Sequence, residues 1–148
     1  MIMPTPDAAD SWENAHHWPL RVYYEDTDAG GVVFYANYLK FMERARTEWL
    51  RTLGVEQQTL ITEHDIGFVV LSLDMKYRVA AKLDDYLTIQ TTITQVGRAS
   101  LNFAQRALIS DKVLAEGNIR VGCVRLTNLK PSALPTELFE QISQLDKR

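Results

Sequence analysis

The chain has 148 residues, of which 46% are hydrophobic and 24% charged, and its formal net charge is -3. That length suits one domain around one buried core, and that balance argues against a disordered chain and against nucleic acid as a partner. The longest apolar runs, such as Phe68–Val69–Val70–Leu71, fall far short of the roughly 20 residues that span a bilayer, so no membrane insertion is expected.

Residues 1–17 have neither the basic segment nor the apolar segment of a secretory signal. They read as a flexible polar arm, a cytoplasmic location is expected, and residues 18–148 read as a single domain. His16 and His17 fall in the arm and His64 in a polar helix end or loop, and all three are expected to be solvated. Residues 18–27, WPLRVYYEDT, have the aromatic and β-branched content of a first strand, ended by the turn formers Asp28–Ala29–Gly30–Gly31. From Asn37 the period changes: Tyr38, Met42, Ala45, Trp49 and Leu53 recur at steps of three or four, which predicts a helix over 37–53 closed by Gly54. A second short helix is expected near 57–63.

Beyond Gly67 the chain reads as antiparallel sheet. Val69, Leu71, Leu73, Met75, Tyr77 and Val79 alternate with mostly polar neighbours and predict one long strand. Asp84–Asp85 then leads into a strand over 86–96, Gly97–Arg98–Ala99 into one over 100–109, and Ser110–Asp111–Lys112 into one over 113–126. These four strands are expected to form a meander. Cys123 is the only cysteine; between Gly122 and Val124 it reads as a small core residue. No Cys/His spacing suits zinc, so neither metal nor cofactor is expected. Thr136 is expected to cap a last helix over 136–145. One long helix against about five strands leaves sheet edges open, so a second copy is expected to cover them.

The chemistry concentrates in EDTDAGGVVFYANYLKF. Glu25, Asp26 and Asp28 stand just before Val32, Val33, Phe34 and Tyr35, and a carboxylate beside buried apolar groups is costly. It is either solvated and structural or held there for chemistry. From spacing alone Asp28 reads as a turn-stabilising or helix-capping residue as readily as a catalytic one. Asp26 and Glu25 read as solvated or turn-bonding.

The segment RVYYEDTDAGGVVFYANYLKFMERARTEWLR resembles the signature of the hotdog-fold acyl-CoA thioesterases of the 4-hydroxybenzoyl-CoA thioesterase type. Within these it is most similar to the cytoplasmic branch associated with the Tol–Pal envelope system. YRVAAKLDDYLTIQTTI, RASLNF and LKPSALP extend the likeness, more loosely, over nearly everything after residue 18. The resemblance implies an α+β hotdog fold, a long central helix wrapped by a curved antiparallel sheet of about five to six strands. It implies hydrolysis of short- to medium-chain acyl-CoA, or of an aryl-CoA, in a homodimer or homotetramer. Asp28, the second Asp of the family's D-x-D element, becomes nucleophile or general base. The backbone amide of Tyr35, at the helix start, becomes the donor to the thioester oxygen, with Gly31 allowing close approach of the backbone.

Tyr24 and Val33 are assigned beside the substrate, and Arg98, Ser100 and Lys130 beside the CoA nucleotide. For Tyr24 a half-buried strand residue, and for Arg98 and Lys130 ordinary surface charges, are the competing readings. Glu43 is read as a partner of Arg46 or Arg44. The Tol–Pal branch carries His where this chain has Tyr35, as the hydroxybenzoyl type does; a phenol is no base at neutral pH, and the change points toward an aryl substrate. A hotdog protein whose main task is to hold an acyl group or an envelope or lipid-synthesis partner, with weak or incidental hydrolysis, is the alternative function; an acyl carrier protein or an envelope-biogenesis partner is the further partner the resemblance suggests. A hotdog dehydratase fits poorly, because His64 is the only histidine beyond the arm.

Overall fold

The structure, a computed structural model, describes residues 12–146. Most of the proposed arm therefore lies outside the described residues. The chain forms two compact halves. The first comprises the described residues up to Arg46 with Met75–Thr92 and Gln105–Glu116; the second comprises Thr47–Asp74, Ile93–Ala104 and the residues from Gly117 onward.

Six strands and three helices are named in chain order among the described residues: β1 His16–Arg21, α1 Asn37–Thr52, α2 Gln57–His64, β2 Ile66–Tyr77, β3 Tyr86–Val96, β4 Ser100–Ile109, β5 Lys112–Arg125, β6 Lys130–Pro131 and α3 Thr136–Asp146. A single 3-10 turn, Tyr24–Asp26, separates β1 from α1. The sheet order is β1-β3-β4-β5-β2, with β6 added to β5. β1 runs antiparallel to β3, with Trp18 opposite Ile89. Turns of three and two residues join β3 to β4 and β4 to β5, which only antiparallel neighbours allow.

The expected meander holds for β3, β4 and β5 and fails for β2. The segment 78–85 is long enough to take the chain away from β2, which pairs with β5 at the edge of the sheet. β4 is buried at every second residue for most of its length, as its sequence pattern requires, whereas β2 is exposed at most positions on both faces. An edge strand has one neighbour, and the alternation of β2 has no matching cover.

The first strand also differs from expectation. It starts at His16 and stops at Arg21, so His16 and His17 pair with Thr91 and Gln90 rather than lying in a solvated arm. Val22–Tyr23–Tyr24 has strand composition, yet the Asp26 carboxylate captures the Tyr23 N–H at 2.8 Å and turns the chain.

α1 ends as its sequence predicts. Gly54 takes φ 80°, its N–H donates to Arg51 O, and Val55 N–H donates to Leu50 O, a Schellman closure. In the first half α1 buries Tyr38, Phe41, Met42 and Ala45. Gln105 there is fully buried: its Nε2 donates to Met42 O and Thr91 Oγ1, both at 2.9 Å, and its Oε1 accepts from Arg46 at 2.9 Å. Burial holds Arg46 below the usual guanidinium range, and the Glu43 charge opposes that shift. In the second half Trp49 meets Phe103 edge-on at 5.2 Å. Cys123 is buried, and burial pushes its thiol up to about 11. α3 buries Leu138 and Ile142, and its first bond runs from Phe139 N–H to Pro135 O, so Pro135 rather than Thr136 occupies the cap position.

Candidate active site

The loop from Tyr23 to Asn37 is built from short-range hydrogen bonds of its own sequence. At its tip Asp28 O accepts Gly31 N–H at 3.0 Å, a tight turn, and Asp28 Oδ1 accepts Gly30 N–H at 2.8 Å. Lower down, Asp28 N–H donates to Val32 O, Thr27 bridges Val33, and Phe34 N–H donates to Asp26 O. Val33 N–H donates to Ala81 O at 2.8 Å, which ties the returning strand to the segment after β2.

The two glycines serve different ends. Gly31 has φ 82°, where only glycine sits without strain, and a Cβ there would meet nothing within 4 Å. At Gly30 the constraint is space: a Cβ there would lie 3.3 Å from Asp28 Oδ1.

The Asp28 side chain is exposed and, among the described residues, its Oδ2 has no hydrogen-bond partner. The turn-stabilising role that spacing suggested is therefore real, and it occupies one oxygen while leaving the other open. Asp26 is the reverse case. It is buried rather than solvated, and both its carboxylate oxygens are occupied, by Tyr23 N–H and by Asn37 Nδ2 at 2.9 Å. Its turn-bonding role is observed. The Asp26–Asn37 pair escaped the sequence reading, since two polar residues eleven apart carry no periodic signal; an Asn opening an apolar helix behind an acidic loop was the available clue.

At the helix start Asn37, Tyr38 and Leu39 donate to Phe34, Tyr35 and Ala36 carbonyls, while the Tyr35 and Ala36 N–H groups make no backbone hydrogen bond among the described residues. A free amide here carries partial positive charge and suits a developing oxyanion. The Tyr35 ring is exposed, packs edge-on against Tyr77 at 5.9 Å and lies tilted against Phe34 at 4.9 Å. Tyr38 OH accepts Ala81 N–H at 3.1 Å. Burial, then the neighbouring phenols of Tyr35 and Tyr38, push Tyr77 above the usual phenol range, so it stays neutral at working pH.

Val33 is buried beneath the loop. Tyr24 is neither in a strand nor half-buried: it sits on the 3-10 turn, where its carbonyl accepts Thr27 N–H and Thr27 Oγ1, and it is 82% exposed. Asp28, Tyr35, Tyr24, Gly31 and Val33 are thus brought together in the first half. Arg98, Ser100 and Lys130 belong to the second half. Arg98 is exposed in the β3–β4 turn and its carbonyl accepts Leu134 N–H; Ser100 O accepts Gly97 N–H at 2.8 Å; Lys130 is exposed on β6 opposite Arg125. No group of three metal-ligating side chains occurs among the described residues.

In sequence and fold the chain is similar to known thioesterases. Residues 30–116 match the thioesterase superfamily. The chain is 50% identical over 126 residues to an acyl-CoA thioesterase, YbgC, of Haemophilus influenzae, covering 85% of this chain and 93% of that one. It is 34% identical to the long-chain acyl-CoA thioesterase FadM of Escherichia coli, covering 76% and 85% of the two chains. Among solved structures, a probable thioesterase from Bartonella henselae superposes with a TM-score of 0.79 at 32% identity, covering 82% of this chain and 99% of that one. A curled sheet with a long helix behind a D-x-D loop, and half the residues of a curated relative, lead to one conclusion: the chain belongs to the thioesterase superfamily and has its hotdog fold.

Proposed function

We propose that the protein is an acyl-CoA thioesterase that hydrolyses short- to medium-chain acyl-CoA, or an aryl-CoA, to free acid and CoA, with Asp28 as nucleophile or general base. The observation that carries this reading is the state of Asp28: exposed, oriented through one oxygen by Gly30 N–H, and open at the other, on the loop that leads into α1. As a base the free oxygen takes a proton from water as that water adds to the thioester carbon. As a nucleophile it adds to the carbon itself, CoA leaves as thiolate, and water then cleaves the mixed anhydride. Either route places negative charge on the thioester oxygen, and the Tyr35 N–H is the donor we assign to it. Arg98, Ser100 and Lys130 are retained as CoA contacts; in a family that builds its sites between protomers, they need not come from the chain that supplies Asp28.

The exposed edge strand β2 is the seam we propose for a homodimer, the unit of a homotetramer, since an unpaired edge of this length invites a second copy. We further propose residues 18–148 as one domain behind the arm, a cytoplasmic location where CoA esters are held, and an envelope-biogenesis or acyl-carrier partner by resemblance to the Tol–Pal branch. A kinetic panel of short aliphatic, long aliphatic and hydroxybenzoyl thioesters tests the function. Multiple turnovers on at least one class are expected, and binding without turnover on all three would favour the acyl-binding alternative.

A further inference from the structure

Asp26 has no part in the chemistry above, yet it is the most engaged residue of the loop. Oδ2 accepts Tyr23 N–H at 2.8 Å, Oδ1 accepts Asn37 Nδ2 at 2.9 Å, the carbonyl accepts Phe34 N–H at 3.1 Å, and the Asp26 N–H donates to Tyr23 O at 3.0 Å. These bonds reach both ends of the segment that carries Asp28: Tyr23 before it, Phe34 and Asn37 after it. The residue is 9% exposed, too covered to meet substrate. Burying a carboxylate is unfavourable unless its lone pairs are met, and both oxygens of this one are. Its charge also faces the first turn of α1, which contains no acidic residue of its own.

Resting on the assignment of Asp28 and the Tyr35 amide, we infer that Asp26 is a positioning residue for thioester hydrolysis: it clamps the base of the loop so that the Asp28 carboxylate and the Tyr35 N–H keep one separation. Phe34, whose amide Asp26 holds, is the residue directly before that donor. A displacement on the order of 1 Å between two reacting groups can lower turnover about 10²-fold while leaving binding intact.

The test uses the full chain and CoA-thiol release. Wild-type turnover comes first; its absence removes the thioesterase reading and this inference together, whereas the outcomes that follow bear on Asp26 alone. Asp26→Ala is expected to lower kcat about 30- to 100-fold with KM within about threefold. The double exchange Asp26→Asn with Asn37→Asp keeps an acceptor for Tyr23 N–H and a donor–acceptor pair across the two positions, with polarity reversed. It is expected to restore kcat to within about tenfold of wild type. Amide exchange gives a readout independent of turnover: the Phe34 N–H should speed up in Asp26→Ala by more than the α1 core amides, whose exchange follows global stability, and should return toward wild type in the double exchange. If Asp26→Ala does not fold, Asn37→Ala and the double exchange carry the test, with the kcat loss then expected in Asn37→Ala at about tenfold. A folded Asp26→Ala protein with unchanged kcat, a loss confined to KM, or a double exchange as impaired as the single variant would each overturn the inference.

Discussion

At the base of the loop between β1 and α1, Asp26 is buried with both carboxylate oxygens taken by Tyr23 N–H and Asn37 Nδ2; at its tip, Asp28 is exposed with one oxygen held by Gly30 N–H. The residues are two apart and chemically identical. What separates them is how much of the hydrogen-bonding capacity of each is already used. A carboxylate whose lone pairs are filled by its own chain holds structure; one with an oxygen left open to solvent can act on another molecule.

Exchanging either aspartate should expose that division, and the largest effect is expected at the tip. Asp28→Asn keeps an acceptor for Gly30 N–H, so unfolding should be unchanged while steady-state kcat falls roughly 10²–10⁴-fold. Asp26→Ala, besides its smaller loss of kcat, should register in urea unfolding, at about 1–3 kcal/mol for each donor left without an acceptor. Equal stability losses at the two positions would erase the contrast. Gly31→Ala comes next: at φ 82° an added Cβ should cost about 1–2 kcal/mol of stability. Gly30→Ala should leave unfolding nearly unaltered, but its Cβ would press on Asp28 Oδ1 from 3.3 Å and lower kcat about tenfold. The smallest effect is expected from Tyr35→Phe, which keeps the backbone donor and loses only an exposed hydroxyl. Turnover on aliphatic thioesters should stay within about tenfold, near 1.4 kcal/mol. A hundredfold loss on every thioester would assign the phenol a role in the reaction.

Much of this molecule was legible before its structure. The α1 stripe and the Gly54 stop reinforce each other, and β3 and β4 begin and end where Asp84–Asp85, Gly97 and Ser110–Asp111 turn the chain. These are local signals, a period and a breaker. Where reading failed, a distant or side-chain partner had overridden local preference. The aromatic Tyr23–Tyr24 stretch reads as strand until Asp26 bends it into a 3-10 turn. The seat of β2 beside β5 is a long-range choice that alternation within β2 does not encode. Asp28 could be assigned chemistry only through the family resemblance, because a Gly-Gly turn with an Asp before it is sufficient reason for that Asp by itself. The division of labour with Asp26 needed the Asn37 contact, which joins a loop to a helix across eleven residues.

The chemical step itself can be isolated by single-turnover measurement, with enzyme in excess over one acyl-CoA, on wild type and Asp28→Asn side by side. Product release and substrate binding then drop out of the comparison. The account predicts that both proteins bind the thioester with similar affinity and that the rate constant for CoA release is at least about 10²-fold lower without the Asp28 carboxylate. Equal rate constants in two folded proteins would contradict it.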